Sequence, residues 1–77
     1  MQTAPSLTND QIIAIAIDYA KGKGMTLNPK DYSEVTVEVV DGKQWKVTFQ
    51  KLMAGTLVYI IDQQTKKVVD GWRVNEG

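Results

Sequence analysis

Val35-Thr36-Val37-Glu38-Val39-Val40-Asp41-Gly42-Lys43-Gln44-Trp45-Lys46-Val47-Thr48-Phe49 is the stretch on which the architecture of this chain turns. Val35, Val37 and Val39 alternate with Thr36 and Glu38, and Trp45, Val47 and Phe49 alternate with Lys46 and Thr48. A period of two sends the apolar set to one face of an extended strand and the polar set to the other. Asp41-Gly42 between the runs is a turn signal, so the stretch reads as an antiparallel hairpin with one buried face. The faces also constrain the loop. A two-residue connection sets Val39, Val37 and Val35 opposite Gln44, Lys46 and Thr48, which mixes core and polar positions on one face. An odd loop restores agreement: Val40-Asp41-Gly42, with Gly42 left-handed in a bulge, pairs Val37 with Trp45.

Upstream the period changes to that of a helix. Thr8-Asn9-Asp10-Gln11 has the capping-box form, Leu7 and Ile12 hold the two staple positions, and Asp10 suits the positive end of the helix dipole. In the body, Gln11, Ala14, Asp18 and Lys21 fall on one narrow stripe and the remaining positions are apolar, which fits a helix pressed on a sheet. Ile13, Ala16, Ile17 and Ala20 are expected to face Val35, Val37, Trp45, Val47 and Phe49. Lys21-Gly22-Lys23-Gly24 supplies the stop. Asn28-Pro29-Lys30-Asp31 reads as a turn in the connector.

Downstream, Lys51 to Gly55 breaks the pattern, and Thr56-Leu57-Val58-Tyr59-Ile60-Ile61 follows, apolar on both faces like a central strand. Asp62 to Lys66 makes a turn and Lys67 to Val74 a last strand. The expectation is an α+β fold, one N-terminal helix packed on a four-stranded antiparallel sheet of two consecutive hairpins. Residues 1–7 read as a flexible lead-in and 8–75 as a single domain.

The 77 residues suffice for one domain. Hydrophobic content of 43% and charged content of 23% are ordinary for a globular chain. With no cysteine, stability comes from packing, without disulfides or thiolate metal sites. Nine basic and nine acidic residues cancel, and the lysines are scattered, so the clustered positive surplus of a nucleic-acid binder is missing. No apolar run reaches the length of about 20 residues that a membrane span needs. Gln2-Thr3-Ala4-Pro5-Ser6 reads as what remains after a signal is removed and a starting Met added, with a native tail as the alternative.

The helix with spaced alanines and a Lys-Gly end, Val40-Asp41-Gly42-Lys43-Gln44-Trp45-Lys46-Val47, and Val58-Tyr59-Ile60-Ile61-Asp62-Gln63-Gln64-Thr65-Lys66-Lys67-Val68-Val69 together resemble the PepSY domain. The resemblance covers most of residues 10 to 70. It implies a bacterial extracytoplasmic module, periplasmic or secreted, that binds or restrains a peptidase or shapes the cell-surface environment, and it brings no catalytic residues. Lys66 departs from the family, which has glycine there; a left-handed lysine costs about 1 kcal/mol, so the turn is expected to differ. Two weaker resemblances are the cystatin loop, matched by Lys51-Leu52-Met53-Ala54-Gly55, and small immunity proteins of nuclear-transport-factor-like fold, matched by the helix, Trp45-Lys46-Val47 and Ile61-Asp62-Gln63-Gln64-Thr65.

Candidate chemistry is sparse. Histidine, the commonest base and metal ligand, does not occur. Ser6 and Ser33 have no base to activate them. Asp10, Asp18, Asp31, Glu34 and Glu38 are spread over helix, loop and strand and read as solvated carboxylates, and Gly22-Lys23-Gly24 is too short for a phosphate loop. No catalytic, cofactor or metal residue is therefore assigned, and the chain reads as a non-catalyst. Partner contacts are expected at Met53, Val58, Ile60, Val69, Trp72 and Arg73. Trp45 belongs with the core valines. Trp72 is expected to close the core beneath the helix, with a hot-spot role beside Arg73 as the alternative. Val58 and Ile60 point away from Leu57, Tyr59 and Ile61, and with Val40 and Val69 they form an apolar patch among Thr36, Glu38, Lys46 and Thr48. That patch is either ordinary monomer surface or the seat of a homodimer or other partner. The expected function is a PepSY-like, non-catalytic binding or inhibitory module for a protein or peptide outside the cytoplasm. The alternatives are an immunity-type or cystatin-like inhibitor and a self-associating domain.

Overall fold

The computed structural model describes residues 7–51 and 55–74. One helix, α1 (Asn9–Gly22), precedes a short 3-10 turn (Pro29–Asp31) and four strands, β1 (Glu34–Val40), β2 (Gln44–Lys51), β3 (Gly55–Asp62) and β4 (Lys67–Val74). The strands form one antiparallel sheet in sequence order, with β1 and β4 at the edges. This is the α+β arrangement expected from the sequence.

The helix starts where its side chains satisfy its own unpaired amides. Thr8 Oγ1 accepts the Gln11 N–H at 3.2 Å, and the Thr8 N–H donates to Gln11 Oε1 at 2.8 Å. Such a cap contributes about 1 kcal/mol. Leu7 sits just before it and packs against the core, as a staple residue does. At the other end Gly24, at φ 85°, turns the chain in the left-handed region. There Met25 N–H reaches Ala20 O at 2.9 Å and Gly24 N–H reaches Lys21 O at 3.0 Å, the two bonds of a Schellman cap.

The buried stripe of the helix is Ile12, Ala16 and Ala20. Ala16 and Ala20 were expected at this contact, and Ile13 and Ile17, expected with them, pack against the core but are only partly buried. Small residues at 16 and 20 let the backbone come close to the sheet, and the bulkier isoleucines then fit on either side. Opposite them lie Val47, Phe49 and Ile61, all fully buried. Gly71 makes room within the sheet for the Tyr59 ring, because a Cβ there would stand 2.9 Å from Tyr59 Cδ1. Tyr32 and Phe49 pack edge to face at 5.4 Å, and Phe49 and Tyr59 at 6.1 Å.

The first hairpin has an odd loop, but not with the expected pairing. Val37 pairs with Val47 and Val39 with Trp45, so the loop is Asp41-Gly42-Lys43 rather than Val40-Asp41-Gly42. Asp41 joins Gly42 at positive φ (56° and 68°), and Lys43 N–H closes the turn on Val40 O at 3.1 Å. The alternation of faces is satisfied equally by two registers two residues apart. Only the turn conformation separates them, through an aspartate that tolerates the left-handed region.

The second turn keeps the conformation that lysine was expected to avoid. Lys66 lies at φ 60°, held by its N–H to Asp62 O at 2.7 Å, while Asp62 Oδ1 accepts the Gln64 N–H at 2.7 Å. Relieving this strain of about 1 kcal/mol, less the roughly 0.4–1 kcal/mol of chain entropy that glycine adds, makes Lys66→Gly stabilising by roughly 0.5 kcal/mol at most. A urea melt checks this; a midpoint no higher than that of the parent means that the lysine side chain, 3.4 Å from Gln63 O, compensates the strain.

Candidate functional site

The helix covers one face of the sheet only. Among the described residues no second layer lies on the other, although Thr56 and Val58 on that face are buried. The register sets the order of its side chains. Thr36, Thr48, Val58 and Trp72 share one cross-strand row, and Glu38, Lys46, Ile60 and Asp70 share the next. The β1–β2 half of this face is polar. The β3–β4 half carries Val58, Ile60, Trp72 and Val74.

Trp72 is therefore not beneath the helix. It pairs with Val58 while its neighbour Gly71 pairs with Tyr59, so alternation turns the indole to the open side, where it is 44% exposed. The one-residue register shift between Ile60 and Ile61 explains the misplacement. A bulge near Val69 shifts the alternation of β4, and a strictly periodic reading from Val68 onward assigns the wrong face.

The expected partner residues divide accordingly. Val58, Ile60 and Trp72 come together on the open face. Val58 itself is only 4% exposed, flanked by Thr48 and Trp72, so it supports the patch more than it presents itself. Val69 is exposed at the bulge. Arg73 pairs with Leu57 and so lies on the helix side of the sheet, away from the Trp72 ring, which separates the aromatic–arginine pair suggested by adjacency. Met53 falls outside the described residues. Val40 pairs with Gln44 at the turn end and stands apart from the patch. Val74, 41% exposed in the row next to Trp72, was missed because it closes the strand, where pattern arguments end.

Two hollows accompany these surfaces. The larger, about 730 Å³, lies between the hairpin turns and includes Asp41, Lys43, Asp62, Gln63 and Gln64. Part of its polar lining is engaged in the turns, with the Gln63 N–H on Lys43 O at 3.0 Å. The smaller, about 380 Å³, is a groove of mixed lining between the helix start and β1, formed by the apolar Leu7, Ile12, Val37, Val39 and Trp45 together with Asn9, Gly42 and Gln63.

The ionisable groups are ordinary in placement. Asp10, Asp18, Asp31, Glu34 and Glu38 are exposed. The Ser33 hydroxyl donates to Gln50 O at 2.8 Å and so serves the start of β1. Burial, with smaller contributions from Tyr32 and Tyr19, pushes the Tyr59 hydroxyl above its usual pKa. Among the described residues no three Asp, Glu, His or Cys side chains gather to hold a metal ion, and no helix is long and apolar enough to cross a membrane. Comparison with family models, curated proteins and solved structures finds no match, and the PepSY-like reading rests on the sequence motifs alone.

Proposed function

We propose that this chain is a non-catalytic binding module, PepSY-like in plan, that engages a protein or peptide partner outside the cytoplasm through the β3–β4 half of its open sheet face. The observation that carries the reading is Trp72, a large amphipathic side chain held on a rigid strand, open to solvent, with Val58, Ile60 and Val74 around it. Rigid aromatics in apolar surroundings are the residues that anchor interfaces, each costing 2 kcal/mol or more when truncated. The location outside the cytoplasm is supported by the PepSY resemblance of the sequence motifs. A non-catalytic role is supported by a chain without histidine or cysteine.

The test is capture from extract of the source cells with the parent protein and with Trp72→Ala, followed by titration of the purified partner. Affinity is expected to fall by about 30-fold or more for Trp72→Ala. Equal retention of the same partner by both baits overturns the assignment of this face. The same apolar patch supports a second reading, self-association. In that case light scattering finds a dimer for the parent protein and a monomer for Trp72→Ala, with no other protein retained.

A further inference from the structure

The two edges of the sheet are built differently. β4 carries a bulge and has charges on both faces, Lys67 and Asp70 toward the open side and Arg73 toward the helix side. These are the devices that keep an edge from pairing with another strand. β1 has neither. Its pairing with β2 runs without a break from Glu34 to Val40, and alternate backbone N–H and C=O groups point away from β2 with no strand beyond them among the described residues. On the helix side, the groove to which Leu7, Ile12, Val37, Val39 and Trp45 contribute the apolar lining, and Asn9 and Gln63 the polar, lies alongside this edge. Val39 beside it is 63% exposed, more than any other large hydrophobic residue described.

Within the strand itself the charges have one sign. Glu34 and Glu38 are the only charged residues of β1; beyond its two ends Asp31 and Asp41 are accompanied by Lys30 and Lys43. None of the four carboxylates has a side-chain hydrogen bond or ion pair to another described residue. Lys46, directly across from Glu38 on β2, is the one cation in the same row. Glu34 and Glu38 lie on the open face, whereas Val35, Val37 and Val39 lie on the helix face. A strand added outside β1 thus meets carboxylates on one side and, on the other, the row of valines that borders the groove.

From this we infer that β1 accepts an extended peptide segment of another protein, as an added strand whose residues alternate between basic and apolar. The basic residues pair across the strand with Glu34 and Glu38, and the apolar ones enter the groove between α1 and β1. Backbone hydrogen bonds supply affinity, and the alternating side chains supply selectivity. The site is distinct from the Trp72 face, so either assignment can fail without the other.

The probe is a synthetic peptide of about eight residues, a usual strand length, alternating Lys and Val. Amide shift mapping on the full chain is expected to concentrate changes at residues 35–40 and at Leu7, Ile12 and Trp45. The double variant Glu34→Lys, Glu38→Lys should bind it about tenfold more weakly and should prefer a Glu/Val peptide instead. Both positions are exposed, and an unchanged melting curve establishes that the variant is folded. Methylating the peptide's backbone nitrogens on one alternating set should abolish binding, and on the other set leave it intact. Shifts centred on β4 or Trp72, indifference to N-methylation, indifference to the charge reversal, or no saturable binding at millimolar peptide would each overturn the inference.

Discussion

Phe49→Ala is expected to lower the free energy of unfolding by roughly 3–5 kcal/mol and the melting temperature by roughly 15–30 °C. Phe49 is fully buried in β2, paired with Val35 on one side and Leu57 on the other. Its ring meets Tyr32 at 5.4 Å and Tyr59 at 6.1 Å, both edge to face. Truncation removes apolar surface from the centre of the only core described and leaves a cavity that neighbours on two strands cannot fill without breaking register. It also strands the buried Tyr59 ring, which leans on Phe49. A domain of this size has a total stability of roughly 4–12 kcal/mol, so the variant is expected to be partly unfolded at 37 °C. Phe49→Leu keeps most of the volume and should cost less. Calorimetry or a urea melt decides; a loss below about 1 kcal/mol for Phe49→Ala means that the core is centred elsewhere.

The second large effect is expected from a matched pair on the helix. Ala14 and Ala16 have the same intrinsic helix propensity and stand two positions apart, yet Ala14 is exposed and Ala16 is fully buried against the sheet. Ala16→Glu drives a carboxylate into that contact with no cation to meet it, which costs about 3 kcal/mol or more. Ala14→Glu places the same side chain in water and should change stability by no more than about 0.5 kcal/mol. Circular dichroism melts of the two variants test the helix orientation directly, because composition and propensity are identical. Equal effects would show that α1 does not lie on the sheet through the Ile12–Ala16–Ala20 stripe.

That stripe shows how periodicity and packing share the work. The polar stripe of Gln11, Ala14, Asp18 and Lys21 was legible because charged and small residues recur at helical spacing, and all four are exposed. The line of closest approach was legible in part: Ala16 and Ala20 were expected on it, Ile12 was not, and Ile13 and Ile17 were given equal weight with them. On a helix with so many isoleucines, sequence hydrophobicity favours the largest side chains. A helix lying flat on a sheet instead comes closest where the side chains are small. Hence Ile12, Ala16 and Ala20 form the contact, and Ile13 and Ile17 become its flanks.

The candidate surface divides the same way. Alternation alone placed Leu57, Tyr59 and Ile61 against the helix and Val58 and Ile60 away from it, because side-chain direction within an unbroken strand is a local property. Trp72 required the bulge near Val69, a single-residue irregularity without a distinctive residue to announce it. The exposure of Val39 required knowing that the start of α1 leaves a groove beside the turn end of β1, a matter of how far apart in space two segments distant in sequence come to rest. Element types, their order and the faces of β1, β2 and β3 were thus determined by the sequence, through capping, periodicity and turn chemistry that act within a few residues. The hairpin register, the face of Trp72 and the acidic, unblocked edge of β1 were decided only by the tertiary structure, because each depends on which of several locally equivalent pairings brings the chain into its packed form.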